Sequence, residues 1–349
     1  MKKRIFCKLI VFCLTAVCVL SACSNTKEQK KQYSTYSMDY FDTVISVVGY
    51  EDSKEEFDKM AEEILSEFAE YHKLYTVYHR FDGMENLCTI NELDDKTHRT
   101  VKVDKRIVDM LLFARQMYDF TEGNVNVAMG SVLSLWHDYR TVGMDNPKVA
   151  SLPPMEKLVE ASEHVDINDM VIDEERCTVN LADPMMKLDV GAVAKGYATE
   201  QVARHLEEQG ITGYVLNVGG NVRTIGSKPD GSPWTVGLEN PDGGEFLDYL
   251  LLDGQSVVTS GSYQRYYYVD GKRYHHIIHP DTLMPAEGFV SVSVICEDSG
   301  LGDALSTALF CMPQDKGLSL IESMPDTEAL WVTDDGERLK SSGWDKYTK

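Results

Sequence analysis

Two patterns of apolar and polar residues divide the chain near Gly213. Before this point, apolar side chains recur at the three- and four-residue spacing of amphipathic helices. The clearest helix is predicted to open at Ser53 and to run to about Tyr75, with many acidic residues on its other face. The same spacing predicts helices over residues 104–119, 131–139 and 192–208, and one after Pro153-Pro154. Between them we predict a strand over 43–48, a hairpin over 169–179 and a strand ending at Leu188-Asp189.

After Gly213 the pattern changes to short alternating runs separated by Gly, Asp and Pro turns, which is typical of antiparallel sheet. These predicted strands cover residues 214–217, 234–239, 249–252, 256–259, 263–269 and 290–295, and one more helix is predicted over 300–310. Because helices and strands are partly segregated, the pattern favours an α+β fold over a doubly wound parallel sheet. A helix-rich N-terminal part is expected to pack with a mostly antiparallel sheet in one catalytic unit.

The N-terminal sequence predicts an export signal. Lys2, Lys3 and Arg4 precede an apolar stretch over 5–20, which is short for a membrane span of about 20 apolar residues. Leu20-Ser21-Ala22-Cys23 resembles the lipobox of bacterial lipoproteins, so residues 1–22 are predicted to be a signal peptide and Cys23 a lipid attachment site. Residues 23–35 are predicted to be a flexible tether. An uncleaved anchor helix is the less favoured alternative. Both place the protein on the extracytoplasmic face of the cell membrane.

The net charge and the cysteine spacing argue against two classes of ligand, nucleic acid and zinc. The formal net charge is −22, which argues against nucleic acid and means that an anionic ligand needs local basic groups, helix N-termini or a metal. Beyond the N-terminal segment the cysteines are Cys88, Cys177, Cys296 and Cys311, with no C-x-x-C pair, which argues against zinc. Spacing leaves their disulfide status open, with buried thiols expected for the last three.

Residues 189–196 place a carboxylate, small residues and a lysine around a predicted helix start. Free backbone N–H groups and the helix dipole favour an anion there. Lys195, about one turn inside the helix, can turn back to the same ligand. Asp189 would bind a ligand hydroxyl or ring N–H, or orient the loop. Taken alone, the segment favours an ordinary strand-to-helix turn with small residues for close packing.

Asp303 and Thr307 lie four residues apart on a predicted helix, so their side chains share one face. Such oxygen ligands suit Mg²⁺ better than zinc. Spacing alone, however, favours the alternative that Asp303 stabilises the helix start and Thr307 bonds to its own turn.

Three further segments offer candidate ligands. Residues 217–221 form a second glycine-rich turn, which either lets a ligand approach the backbone or is a bulge. Residues 259–262 form a hydroxyl-rich turn that could contact phosphate. Residues 275–279 contain three histidines, of which one is a candidate acid or base and the others polar residues of the surface or core.

Taken in order, these segments resemble the ApbE-type FAD:protein FMN transferases of the bacterial envelope, from Met38 onward. The resemblance rests on Phe41-Asp42-Thr43, Thr76-Val77-Tyr78 and residues 123–130, 188–198, 217–220, 259–261, 276–280 and 303–307. It implies that residues 36–349 form a single T-fold-like flavin transferase domain. Two positions depart from the family pattern: Val125-Asn126 replaces a common Phe-Asp pair, and His279 replaces the aspartate of a usual His-x-x-Asp-Pro turn.

The resemblance also implies the roles of individual residues. FAD, the substrate, would lie between the helix-rich and sheet-rich parts, and Mg²⁺ would be bound by the Ala192 carbonyl, Asp303 and Thr307, with Ser306 as a further ligand. His276, Asp303 and Lys195 would be catalytic, His276 as a base or a phosphate contact. The implied FAD contacts are Phe41, Tyr78, Asn124, Val125, Asn126, Asp189, Lys195, Asn217, Gly219, Gly220, Thr259, Ser260, Gly261, His276 and Ile277.

The implied reaction is attack by a Thr or Ser hydroxyl of an acceptor protein on the FMN phosphorus of FAD, with release of AMP. The expected acceptor carries an FMN-binding domain and belongs to an envelope electron-transfer protein. Two alternatives stay open: a Mg²⁺-dependent FAD diphosphatase, in which water replaces the acceptor, and a non-catalytic lipoprotein that binds FAD. Covalent protein-bound FMN would identify the transferase, and tight FAD binding without turnover would identify the binding protein.

Overall fold

Helices predominate in the first part of the chain and strands in the second. The computed structural model describes residues 30–92 and 100–349. The helices are α1 Lys54–Tyr75, α2 Leu87–Asn91, α3 Lys105–Phe120, α4 Gly130–Asp145, α5 Met155–Ser162, α6 Ala194–Glu208, α7 Ser299–Cys311 and α8 Gln314–Glu322. The strands are β1 Lys31–Ser37, β2 Ile45–Glu51, β3 Val101–Lys102, β4 Met170–Asp173, β5 Thr178–Leu181, β6 Tyr214–Val218, β7 Asn221–Ile225, β8 Trp234–Leu238, β9 Asp248–Leu252, β10 Ser256–Gly261, β11 Tyr266–Val269, β12 Lys272–His275, β13 Phe289–Cys296, β14 Glu328–Thr333 and β15 Arg338–Lys340. The predicted α+β fold is confirmed.

An eight-stranded sheet with the order β1-β2-β6-β7-β10-β13-β14-β15 is the centre of the fold. All of its neighbouring strands are antiparallel. Successive side chains of a strand point to opposite faces. On β6, Tyr214 and Leu216 therefore join the main core, whereas Val215 joins a second core on the other side of the sheet.

The main core lies between one face of the sheet and the helices α1, α6 and α7. Helix α1 shows why the sequence folds this way. Its N-cap Ser53 and Glu56 form a reciprocal capping box, and its buried residues, such as Phe57, Ile64 and Phe68, recur at helical spacing. The helix predicted from Ser53 to Tyr75 is confirmed.

The second core covers the opposite face of the sheet. The β8–β9 hairpin and Trp344, five residues before the end of the printed sequence, pack there against Val257 and Ile295. Trp234 on β8 is fully buried, and its indole N–H donates to the Gly226 carbonyl at 3.0 Å. Both faces of the central strands are therefore buried, and β7 is buried at every position although it carries the polar residues Asn221, Arg223 and Thr224.

A third, smaller core joins α4 and α5 to the β11–β12 hairpin. Trp136 is buried there, and its indole N–H donates to the Leu283 carbonyl at 2.9 Å. The Tyr267 hydroxyl donates to the Ser151 carbonyl at 3.1 Å. This unit forms one wall of the cleft described below.

Two predicted boundaries differ from the structure. No strand ends at Leu188-Asp189: Lys187 makes only an isolated bridge with Met129, and the buried side chain of Leu188 accounts for the apolar pattern. Strand β1 begins at Lys31, inside the predicted tether of 23–35, because residues 31–37 pair with β2 and Tyr33 packs on Phe57 with ring centres 5.7 Å apart. The predicted signal peptide of 1–22 and Cys23 lie outside the described residues.

The cysteines of the described residues are all unpaired. Cys88, Cys296 and Cys311 are buried, but Cys177 is half-buried in the turn between β4 and β5, contrary to the expectation of a buried thiol. Within 30–92 and 100–349, none of the helices is both long enough and apolar enough to span a bilayer.

Candidate active site

One cleft of about 650 Å³ brings together most of the residues that the sequence singled out. Its walls come from the β1–β2 connection, the segment before α4, the start of α6, the end of β10, the segment after β12 and helix α7. The predicted site residues that line it are Tyr78, Asn124, Val125, Asn126, Asp189, Ala192, Lys195, Gly219, Thr259, Ser260, Gly261, His276, Ile277, Asp303 and Thr307.

Four predicted site residues do not line the cleft: Phe41, Asn217, Gly220 and Ser306. Phe41 packs its ring edge-on against His72, with centres 5.6 Å apart. Asn217 supports the turn behind Gly219, because its side-chain oxygen accepts the Gly220 N–H at 3.1 Å. Ser306 is fully buried, and its hydroxyl lies 2.9 Å from the Ser260 hydroxyl, which does reach the cleft.

The loop before α6 is shaped by Asp189. Its side chain accepts the Gly191 N–H at 2.8 Å, and its own N–H donates to the Val127 carbonyl at 2.8 Å. The loop is thereby held so that the helix begins at Ala194, with Lys195 in its first turn. Of the roles considered from sequence, orienting this loop is the one that these contacts support.

Close packing of α6 on α7 positions the catalytic candidates. The Gly196 N–H donates to the Asp303 carboxylate at 2.8 Å. A Cβ atom at Gly196 would lie 2.3 Å from the Ser299 carbonyl oxygen and 2.4 Å from the Asp303 Cβ. Only glycine therefore lets the two helices approach this closely.

Asp303 is a buried carboxylate at the edge of the cleft. Burial raises its pKa, whereas Lys195, the Gly196 N–H and Asn221 act in the opposite direction. The Lys195 Nζ lies 3.6 Å from the Asp303 carboxylate. Thr307, one turn further along α7, has its hydroxyl 3.3 Å from that of Ser260. The helix thus presents a carboxylate and a hydroxyl to the same space.

This donor set fits Mg²⁺. The Asp303 carboxylate, the Thr307 hydroxyl and the Ala192 backbone all lie at the cleft, and hard oxygen ligands are those that Mg²⁺ prefers. A cation beside a carboxylate whose pKa burial has raised would favour its charged form. In the described part of the chain, no three His, Cys, Asp or Glu side chains form a metal-binding group, so ligation here would need hydroxyl and carbonyl oxygens.

His276 is the histidine of the 275–279 segment that faces the cleft. Its Nδ1 atom is buried without a hydrogen-bond partner. Burial, followed by the positive charges of Arg265 and Arg140, lowers its pKa to about 3, so the ring is neutral at pH 7. His275 instead has a structural position: its Nε2 lies 2.8 Å from the Ala286 carbonyl, and its Nδ1 accepts the Ile277 N–H.

The β1–β2 connection adopts an unusual backbone conformation at the cleft. Phe41 and Asp42 have φ values of 56° and 49°, in the left-handed region that non-glycine residues seldom adopt. The Phe41 N–H donates to His72 Nδ1 at 3.1 Å, which helps to hold the turn. Thr43 then packs so tightly that a Cβ at Gly219 would lie 2.2 Å from its hydroxyl.

Comparison with known proteins identifies the family of the chain. The sequence model of the ApbE family matches residues 41–331, which is most of the chain. The chain belongs to the ApbE family. The resemblance proposed from the ordered segments is therefore confirmed at the level of the family.

Several ApbE relatives extend the comparison over most of their length. A Klebsiella pneumoniae protein named FAD:protein FMN transferase is 32% identical over 277 residues, covering 76% of this chain and 84% of the relative. A Haemophilus influenzae protein of the same name is 27% identical and covers 96% of both chains. The crystal structure of the ApbE protein from Thermotoga maritima matches with a TM-score of 0.78 and 28% identity, over 91% of this chain and 100% of that one.

The two departures from the ApbE pattern make similar local contacts. The Asn126 side-chain oxygen accepts the Ala128 N–H at 2.9 Å, and His279 Nδ1 accepts the Asp281 N–H at 3.1 Å. An aspartate accepts the N–H two residues on in the same way. Asn126 also donates its amide to the Val165 carbonyl at 2.9 Å, which a carboxylate could not do.

Sequence reasoning missed several polar residues of the ApbE cleft. Asp42, His137, Arg140, Gln264 and Arg265 all line it. His137 Nδ1 lies 3.4 Å from the Tyr78 hydroxyl and 3.2 Å from the Arg140 guanidinium. The available signal was the three-residue spacing of His137 and Arg140, but the helix was predicted to end at residue 139, whereas α4 continues to Asp145 and carries both residues on one face.

Proposed function

We propose that this protein transfers the FMN moiety of FAD to a Thr or Ser hydroxyl of an acceptor flavoprotein and releases AMP, in a Mg²⁺-dependent reaction. The broader class follows from family membership, since curated ApbE relatives are named FAD:protein FMN transferases. The prediction of a transferase acting on FAD is confirmed at that level. The metal, the acceptor residue and the leaving group are parts of the proposal.

The observation that carries the proposal is the convergence of three separate segments on one cleft. Helix α7 supplies Asp303 and Thr307, helix α6 supplies Lys195, and the segment after β12 supplies His276. These residues combine candidate metal ligands, a fixed positive charge and a neutral imidazole. Phosphoryl transfer needs this combination, because its catalysis is mostly positioning and charge stabilisation.

Mg²⁺ bound by Asp303, Thr307 and the Ala192 carbonyl would supply charge neutralisation for the diphosphate of FAD. Lys195 would contribute a second positive charge on the same side, since its Nζ already lies 3.6 Å from Asp303. The tight α6–α7 contact at Gly196 fixes the distance between these groups before substrate arrives. Such preorganised charges are the usual large contribution to catalysis at phosphoryl groups.

His276 is suited to hold the proton of the acceptor hydroxyl. A neutral ring with an unpartnered Nδ1 can accept a hydrogen bond or a proton. The positive neighbours that lower its pKa would be offset by a bound diphosphate, so substrate would make the ring more basic. In the reaction, the acceptor oxygen bonds to the FMN phosphorus, its proton passes to the base, and the bond to the AMP oxygen breaks.

The decisive experiment is mass spectrometry of an FMN-binding-domain protein after incubation with this protein, FAD and Mg²⁺. The expected result is covalent FMN on a Thr or Ser of the acceptor, together with an equal amount of AMP. Free FMN and AMP without acceptor modification would instead identify the diphosphatase. Unchanged FAD in a tight complex would identify a binding protein. The last two results contradict the proposal.

We also propose that the mature protein is anchored by lipid at Cys23 to the extracytoplasmic face of the cell membrane and that its acceptor is an envelope electron-transfer protein. The support is the sequence pattern of residues 1–23. Fractionation of cells that express the wild type and Cys23→Ala tests it. The wild type should be in the membrane fraction with a lipid-sized mass increase at Cys23, and the variant should lack that modification. Unmodified Cys23 in the wild type would contradict the proposal.

A further inference from the structure

Two arginines of the cleft have no carboxylate partner in the described residues. The Arg140 guanidinium lies 3.2 Å from His137 Nδ1, and that of Arg265 donates to the Asp42 carbonyl oxygen at 3.4 Å. An arginine carries several N–H donors, so most of them are unused here. Arg140 is half-buried within the cleft, and Arg265 is exposed at its edge.

Half of the arginines in the described residues form ion pairs. Each of the following pairs with a carboxylate at 3.6 Å or less: Arg80, Arg106, Arg176, Arg204 and Arg223. With a net charge of −22, carboxylates are abundant on the surface. Within the described part of the chain, Arg115, Arg273 and Arg338 have no carboxylate partner either, so what distinguishes Arg140 and Arg265 is that both line the cleft.

The two arginines also affect the pKa of the same histidine, His276. Burial and the repulsion from Arg265 lower the pKa of Arg140. Both guanidinium groups lower the pKa of His276, together with Lys195. Positive charges are thus concentrated around an imidazole whose Nδ1 is unpartnered. This arrangement is electrostatically unfavourable until an anion enters it.

We propose that Arg140 and Arg265 bind a phosphate group of FAD, as a second anion-binding group beside the one formed by Asp303, Thr307 and Lys195. The inference rests on the proposed function, because it concerns the same substrate. A planar guanidinium matches the oxygens of a phosphate with paired hydrogen bonds. The half-buried position of Arg140 favours a ligand that enters the cleft over a side chain that docks at its rim.

The arrangement divides the diphosphate between two groups on different elements. Arg140 belongs to α4 and Arg265 to the β10–β11 connection, whereas Asp303 and Lys195 belong to α7 and α6. The FMN phosphate and the AMP phosphate are both candidates for the arginine pair. Their shared chemistry is a phosphate monoester, and separate measurements with FMN and AMP distinguish them.

The test is equilibrium binding of FAD, FMN, AMP and riboflavin to the purified protein in Mg²⁺, with no acceptor present. Arg140→Gln and Arg265→Gln are compared with wild type. Arg140→Lys keeps the charge but loses the paired geometry. Arg176→Gln is the matched control, because it removes one exposed positive charge from the β4–β5 hairpin, away from the cleft residues.

We expect each glutamine variant to weaken FAD binding by about tenfold or more, the loss of a charge-assisted hydrogen bond, and Arg140→Lys by less. Riboflavin, which has no phosphate, should bind all variants like the wild type. Loss of affinity for AMP alone assigns the pair to the adenosine side, and loss for FMN alone to the flavin side. Arg176→Gln should bind every ligand normally.

Unchanged FAD affinity in both glutamine variants would overturn the inference, as would an equal loss for riboflavin with an unchanged melting temperature. If FAD affinity is unchanged but KM for the acceptor rises in transfer assays, the pair recognises the acceptor polypeptide, which also overturns it and leaves the transferase intact. Conversely, a wild-type protein that never modifies an acceptor refutes the proposed function. The FAD-binding comparison still tests the arginine contacts, because it contains no acceptor.

Discussion

At the scale of single residues, Asp303 combines a stability cost with a functional gain. Burial raises its pKa, so in the absence of a cation its charge disfavours folding. For an acid whose folded pKa is raised, the stabilising contribution is present at low pH and lost as pH rises through the folded pKa. The buried charge of Asp303 therefore opposes folding as the pH rises, which is consistent with its proposed role as a metal ligand.

Asp303→Asn tests this account. The amide can still accept the Gly196 N–H, but it loses the charge that Mg²⁺ needs. We expect FMN transfer to fall by about 100-fold or more, with a smaller loss of FAD affinity. The melting temperature in EDTA at pH 7 should not fall below that of the wild type. Near-normal transfer by the variant in Mg²⁺ would show that the metal assignment is wrong.

His276 predicts a pH dependence of stability. Its folded pKa of about 3 lies below the ordinary value of 6.5, so its contribution to stability is present above pH 6.5 and lost as pH falls toward 3. Between pH 7 and pH 5 this loss should be about 1–2 kcal/mol. His276→Gln should therefore lose less stability than the wild type over that interval in urea unfolding. Parallel pH curves for the two proteins would contradict the expected protonation state.

The cleft residues also show how far sequence reasoning reached. Asp303 and Thr307 were singled out by their four-residue spacing and Lys195 by its place near a predicted helix start, but their roles came from the resemblance to the ApbE family. Arg140 and Arg265 were missed, because neither lies in a chemical motif and nothing local reveals that they meet. Their convergence depends on the packing of α4 against the β11–β12 hairpin, which is a tertiary contact.

At the scale of elements, the α6–α7 contact is the support of the site. Gly196→Ala would place a methyl group against the backbone of Ser299 and force the helices apart. We expect a loss of about 1–3 kcal/mol in the free energy of unfolding and a marked loss of FMN transfer. Gly317→Ala in α8 is the control, since its new Cβ meets mainly the flexible Leu309 side chain at 3.0 Å. Equal stability and activity of both variants would show that the contact can relax.

A buried ion network lies one turn further along α6, at the start of α7. Glu200 on α6 is nearly inaccessible and accepts from the Arg223 guanidinium at 3.1 Å and from the Ser299 N–H at 2.9 Å. Glu200→Gln should cost about 3 kcal/mol in chemical unfolding, because it leaves a buried arginine partly uncompensated. Glu207→Gln removes a partly exposed partner of the same arginine and should cost about 1 kcal/mol or less. A similar cost for both would argue against the buried network.

Elements with strong local signals were predictable, and those defined by distant partners were not. Ser53 and the Pro153-Pro154 pair gave the starts of α1 and α5 directly. The apparent strand at Leu188 was misread because burial alone makes a segment apolar. Strand β1 was taken for a tether because its polar residues gain a role only when they pair with β2.

At the scale of the whole molecule, the α+β class was predictable but the order of the sheet was not. The order places β2 beside β6 and β10 between β7 and β13, pairings that join residues far apart in sequence. Alternation along one strand indicates which residues share a face of the sheet, but not which strand lies next to it. The cleft is likewise a property of the whole fold, because its walls come from segments spread over residues 38–307.

The last prediction concerns coupling between two ligands in that cleft. If FAD and Mg²⁺ share the space beside Asp303, each should bind more tightly when the other is present. A ligand that binds only the folded state raises the stability of the protein. The increase in melting temperature with FAD and Mg²⁺ together should therefore exceed the sum of the increases with each ligand alone. Removal of Mg²⁺ by EDTA should then weaken FAD binding in the wild type but not in Asp303→Asn. Additive shifts in the wild type would mean that the metal and the dinucleotide occupy independent sites.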